Sequence, residues 1–152
     1  MKNIENRDFT PRAQQAIANA SKEARRLGHN FVGGGHILLG IIKLGPESTA
    51  ARVLASSGIT QTVVSKIESA LSESLFSEKL NSDHDIPLTP RVYRILSFAK
   101  QEADRLGASF AGTEHLLLGL LGERENQAAE ALCPFYPTLE DLRRQVIACS
   151  TI

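Results

Sequence analysis

Apolar residues recur along this chain at the three- and four-residue spacing of amphipathic helices. Ala13, Ile17, Ala20, Ala24 and Leu27 fall on one stripe, and Val92, Leu96, Ala99, Ala103 and Leu106 on another. Each stripe opens just after a Thr-Pro pair, Thr10-Pro11 and Thr89-Pro90. A Thr hydroxyl there can accept a backbone N–H, and a Pro at the first helical position has no donor to leave unsatisfied. Each stripe closes at a glycine, Gly28 or Gly107, suited to a left-handed C-cap. Two short and almost wholly apolar runs follow, Ile37 to Leu44 and Leu116 to Leu121. Helices of that composition are predicted to be buried centres around which their neighbours wrap. Third helices are expected from Glu47 to Ser57, ended by Gly58, and from Asn126 to Cys133. Fourth helices are expected from a Thr60 cap through Val63, Val64, Ile67 and Leu71, and from Thr138 through Leu139, Leu142, Val146 and Ile147. No run alternates at period two, so no sheet is expected.

The two series are copies of one another. Thr10-Pro11-Arg12 returns as Thr89-Pro90-Arg91, an offset of 79 residues, and that offset holds down the chain. Glu23-Ala24 returns as Glu102-Ala103, Arg26-Leu27-Gly28 as Arg105-Leu106-Gly107, and Phe31 as Phe110. Gly33 returns as Gly112, His36 as His115, and Leu38-Leu39-Gly40 as Leu117-Leu118-Gly119. The expected fold is all-α, eight helices arranged as two pseudo-twofold-related four-helix repeats. One domain over residues 1–152 is expected, with repeat one at 9–75, a polar linker at 76–87 and repeat two at 88–149.

Composition narrows the function. Aromatic residues are only 5% of the chain and Trp is absent, so Ala, Leu, Ile and Val must fill the core, which suits closely packed helices. Seventeen basic residues balance seventeen acidic ones, which removes the broad positive field of a dedicated nucleic-acid binder; no nucleic-acid partner is expected. The longest apolar run is far shorter than the ~20 residues of a membrane span, and no membrane partner is expected either. Cys133 and Cys149 match neither a redox nor a zinc spacing and read as reduced thiols. With a polar N-terminus lacking an apolar signal-peptide core, they point to a cytoplasmic or similarly reducing compartment.

Catalytic and cofactor signatures are missing. Gly35 and Gly40 have the outer spacing of a phosphate-binding loop, but Ile41-Ile42 stand where the loop needs Lys and Ser or Thr. His29, His36, His84 and His115 have no companions at ligand spacing, so neither metal nor cofactor is expected. His36 and His115, at the starts of the buried helices, read as packed residues bonded to backbone. Glu23/Arg26 and Glu102/Arg105 lie three apart on helix faces expected to be exposed. No nucleophile motif is present, and the chain reads as a binding module rather than an enzyme. A small hydrolase built from dispersed polar residues is the remote alternative.

The pattern F-T-P-R-A…E-A-R-R-L-G-H-N-F-V-G-G-G-H-I-L-L-G-I-I, repeated as L-T-P-R-V…E-A-D-R-L-G-A-S-F-A-G-T-E-H-L-L-L-G-L-L, resembles the double Clp N-terminal repeat of the Hsp100 unfoldases ClpC and ClpA. The resemblance spans nearly the whole chain. It implies a non-catalytic module that recognises adaptor or substrate proteins for a Clp-type AAA+ unfoldase and protease. A stand-alone accessory docking on Clp protease subunits, as in the related ClpT proteins, is the alternative it leaves open. In some ClpC-type members the resemblance further implies a reader of phosphoarginine-marked proteins, with the glutamate of G-T-E-H taking the guanidinium and the helix start at T-P-R the phosphate. Here those are Glu114, with Thr113 beside it, and Thr89 and Arg91. A carboxylate suits a guanidinium, and a helix start with an Arg suits a phosphate. Thr113 and Glu114 can equally serve as an N-cap and a first-turn acid. The first copy carries Gly34-Gly35 in place of that Thr-Glu pair, leaving Thr10 and Arg12 as an anion-attracting start without a carboxylate. The copies also part at Cys133-Pro134-Phe135-Tyr136-Pro137, a rigid apolar contact or a packed turn.

Overall fold

The computed structural model describes residues 8–45, 48–59, 64–69, 87–123 and 126–150, and among them the chain forms eight helices. They are α1 (Pro11–Arg26), α2 (Gly34–Ile42), α3 (Thr49–Ser56), α4 (64–69), α5 (Pro90–Arg105), α6 (Thr113–Gly122), α7 (Gln127–Leu132) and α8 (Leu139–Ser150). The expected all-α architecture is what the chain adopts. The Thr60 cap and the linker up to residue 86 lie outside the described residues. Extended pairing among the described residues is confined to two isolated parallel bridges, Phe9 with Ala111 and Val32 with Leu88.

The helix boundaries follow from local chemistry. Thr10 Oγ1 accepts from Ala13 N–H and Thr89 Oγ1 from Val92 N–H, each followed by Pro at the first helical position. Gly28 and Gly107 both have φ of +79°, where a side chain would be strained. The N–H groups of His29 and Ala108 reach back to the carbonyls of Ala24 and Ala103, closing each helix in a Schellman turn. α3 starts at Thr49 rather than Glu47 because Ser48 is its cap, its Oγ accepting from Ala51 N–H. Asn126 caps α7, and Thr138 with Asp141 forms a reciprocal cap on α8.

α2 and α6 are the centre of the molecule. Ile37, Leu38, Leu39 and Ile41 in the first copy, and Leu116, Leu117, Leu118, Leu120 and Leu121 in the second, are fully or almost fully buried. Each such side chain contributes about 1.5–3 kcal/mol of hydrophobic stabilisation. α1 lies across α2 at backbone contact: a Cβ on Gly40 would overlap the carbonyl oxygen of Ala16. α5 crosses α6 in the same way, with Gly119 against the carbonyl of Ile95. The buried faces opposite are small, Ala13, Ala16, Ala20 and Ala24 on α1, which is what lets the helix axes approach. Asn19 Nδ2 adds a bond to Gly40 O across the first crossing.

Two expectations about side chains are corrected. Glu23 and Glu102 are buried, at 7% and 5% exposure, rather than on solvent faces. Glu102 accepts two bonds of 2.8 Å from Arg143 of α8, while Arg105 stands at 3.7 Å. Those charge-assisted bonds hold the Glu102 carboxyl below its ordinary pKa. Glu23 accepts from Arg26, which also reaches Glu68 of α4. Ile147 is 48% exposed, so of the residues expected to pack α8 it stands out, while Leu142 and Val146 are buried and the half-buried Leu139 packs against the core. In the proline-rich segment Tyr136 is buried, its hydroxyl 2.5 Å from Ser57 Oγ, and anchors a packed turn onto the end of α3.

The helix crossing makes a sharp prediction. Gly119→Ala forces backbone apart and is expected to cost about 2–3 kcal/mol or more. Gly122→Ala, whose added Cβ would meet only the Phe98 ring at 3.7 Å, is expected to be neutral or stabilising by up to about 1 kcal/mol. Chemical denaturation of both variants checks this; equal stabilities would contradict it.

Candidate functional site

The two copies exchange their helix starts. Thr10 N–H donates to Ala111 O, and Ala111 N–H to Asp8 O, both at 2.9 Å. Symmetrically, Thr89 N–H donates to Val32 O at 3.1 Å and Val32 N–H to Pro87 O at 2.9 Å. Each Thr-Pro-Arg start is therefore tied to the loop ahead of the other copy's buried helix.

The consequence is a groove of about 500 Å³ lined by residues of both copies. The start of α1 supplies Thr10, Pro11 and Arg12, and the start of α6 supplies Gly112, Thr113, Glu114 and His115. Thr49 at the start of α3, Ala108 and Phe110 complete the lining. Three helix N-termini thus face one space, and their partial positive charges favour an anion there. The exposed Arg12 adds a full positive charge, and Arg52 stands behind Thr49, its Nη2 3.2 Å from Thr49 Oγ1. Glu114 brings a carboxylate to the same groove. Its Oε1 lies over Gly112, where a Cβ would be only 2.6 Å away, so this glycine leaves the space the carboxylate occupies.

Of the site residues read from sequence, Thr10, Arg12, Thr113 and Glu114 meet in this groove. Thr89 and Arg91 do not line it; they head α5, on the Val32 bridge. Thr113 is not the N-cap of α6. Gly112 holds that position, and the Thr113 Oγ1 accepts instead from Ala50 N–H of α3, across the copies. Sequence reading missed Thr49, Ala108 and Phe110. The available signal for Ala108 was that it breaks the repeat, standing where the first copy has His29.

Histidine supplies the capping bond that was one of the two roles open to Thr113. The Nδ1 of His115 accepts from Gly112 N–H at 2.9 Å, and the Nδ1 of His36 from Gly33 N–H at 2.9 Å. Each is the third residue of its helix, the position from which a side chain reaches back to the cap. With Nδ1 accepting, Nε2 of His36 carries the hydrogen and donates to Nδ1 of the buried His29 at 2.9 Å. Burial, and secondarily the neighbouring His29, push His36 down to about 4. Burial also lowers His115, against the opposing pull of Glu114 and Glu102.

The counterpart position in the first copy is closed. A Cβ at Gly34 would lie 2.7 Å from the side chain of Asn126. Asn126 is held in place by bonds from its amide to Leu120 O and Glu123 O and from Ala129 N–H to its Oδ1. The glycine that replaces Thr113 in the first copy is thus imposed by packing. Among the described residues no cluster of His, Cys, Asp and Glu is placed to hold a metal ion, and no helix is long and apolar enough to cross a membrane. Both cysteines are free thiols.

Residues 8–135 match the model of the Clp repeat N-terminal domain. The chain belongs to the Clp repeat N-terminal domain family. Over 139 residues it is 42% identical to the chaperone protein ClpB of Oceanobacillus iheyensis and 41% identical to the negative regulator of genetic competence ClpC/MecB of Bacillus subtilis. Each alignment covers 91% of this chain, but only 17% and 16% of those proteins, so the chain spans about a sixth of their length. The N-terminal domain of ClpD from Arabidopsis thaliana shares the fold at a TM-score of 0.71 and 20% identity, over 100% of both chains. The Hsp104 N-terminal domain from Candida albicans does so at 0.69 and 18%, over 92% of this chain and 89% of that one.

The capping histidine sets a pH dependence for this Clp repeat domain. His36 has a folded pKa below its unfolded value, so the unfolded chain binds the extra proton first as pH falls. Its stabilising contribution is complete above about pH 6.5 and is lost on the way down to about 4. Between pH 7 and pH 5 this amounts to about 2 kcal/mol. His36→Gln keeps an acceptor for Gly33 N–H without the titration, and its stability is expected to fall less over that interval. Parallel pH profiles for the two proteins, from denaturant unfolding, would contradict the assignment.

Proposed function

We propose that this chain is a recognition module that captures adaptor or substrate proteins for a Clp-type unfoldase, and that the inter-copy groove is its ligand site. The reading rests on one observation: Arg12 and three helix starts line the same space as a single carboxylate, Glu114. A ligand with a cation beside an anion matches that pattern, and a phosphoarginine side chain has both on one planar group. Glu114 takes the guanidinium in a paired charge-assisted contact, and Thr10 with Arg12 takes the phosphate at the start of α1. Thr113 holds the start of α6 against α3, which sets where Glu114 stands. Thr89 and Arg91, at the counterpart start, lack a carboxylate from α2, whose Gly34 and Gly35 carry no side chain. The names of the relatives, a chaperone and a competence regulator of the Clp class, agree with a module that selects clients rather than one that transforms them.

Calorimetric titration with phosphoarginine tests the reading. Wild type is expected to bind saturably, Glu114→Gln to lose at least about tenfold in affinity and Arg12→Gln a comparable factor, while Arg91→Gln stays within about twofold. Equal affinity in wild type and Glu114→Gln would remove the carboxylate from the site.

A further inference from the structure

The two copies treat one aromatic ring differently. In the first, Phe31 is packed against two histidines, its ring centroid 5.4 Å from that of His29 and 5.7 Å from that of His36. In the second, the residue equivalent to His29 is Ala108, and the equivalent ring, Phe110, makes no ring contact among the described residues. Phe110 is 54% exposed, the most exposed large hydrophobic side chain among them. It does not face open solvent at random: Phe110 and Ala108 both line the groove that holds Glu114. Losing the imidazole at position 108 therefore removes one of the ring's two partners; the other, His36, is kept as His115, but Phe110 makes no ring contact with it, and all three positions line the groove.

An aromatic ring in a groove that also holds Arg12, Glu114 and three helix starts has a specific use. A guanidinium is flat, weakly hydrated and attracted to an aromatic face, whereas an ammonium is compact and strongly hydrated. Resting on the guanidinium reading above, we propose that Phe110 is the platform on which the ligand's planar cation stacks while Glu114 pairs with its edge. The pair selects guanidinium-bearing ligands, and the Ala108-for-His29 difference is what makes the platform available. Histidine at 108 would hold the ring as His29 holds Phe31 and would fill the groove as well.

The test is calorimetric titration with phosphoarginine of wild type, Phe110→Tyr, Phe110→Leu, Ala108→His and Glu114→Gln at one ionic strength, with ligand-observed NMR on the first three. Phe110 is exposed, and matched thermal melts establish that its variants fold. Phe110→Tyr is expected to bind within about twofold of wild type, and Phe110→Leu and Ala108→His to be weaker by about five- to tenfold. The ligand's δ-methylene protons are expected to move upfield on binding wild type, from the ring current, and not on binding Phe110→Leu. Wild-type affinity in Phe110→Leu with no upfield shift in any protein, alongside a loss in Glu114→Gln, overturns the platform and leaves the groove reading intact. Absence of saturable binding to wild type overturns both.

Discussion

Backbone contact between helices at Gly40 and Gly119 is the constraint on which the rest of this structure depends. With no side chain at either position, α1 settles onto α2 and α5 onto α6 until carbonyl oxygens of the outer helices touch the inner ones. A methyl group there would push the pairs apart, and the displacement would pass along rigid helices to their ends. Those ends carry the chemistry. The starts of α1 and α5 are bridged to Ala111 and Val32 of the opposite copies by single backbone pairs, which small shifts would break.

The same scaffold holds two different environments. At one exchange, Thr113 reaches α3, Glu114 folds over Gly112, and Phe110 stands in a groove with Arg12. At the other, Asn126 fills the space beside Gly34, and Phe31 is packed on a buried pair of histidines. Small differences at equivalent positions, His29 against Ala108 and Gly34 against Thr113, redirect whole side chains because every neighbour is already in contact. Duplication supplied the fold twice, and substitution made the halves chemically unlike.

Much of this was legible from residues alone. The Thr-Pro starts, the glycine stops at Gly28 and Gly107 and the apolar centres at Ile37 and Leu116 are local signals, and local forces decide them. Partnerships between distant residues were not legible. The 79-residue offset says that Thr10 and Thr89 are equivalent, but not that Thr10 meets Glu114 while Thr89 meets Val32. Glu102 reads as paired with Arg105 because three residues along a helix is a familiar spacing, yet Arg143, forty-one residues away, has the better geometry. Thr113 looked like a cap because its residue type caps well; His115 already did that work, which released the hydroxyl for Ala50.

An exchanged, single groove is the central claim, and amide chemical shifts recorded as phosphoarginine is added test it most directly. The account predicts that Arg12, Thr113 and Glu114 move together and saturate at one ligand per chain, with Thr89 and Arg91 unmoved. Shifts at Thr89 and Arg91 in step with Glu114, and none at Arg12, would contradict it.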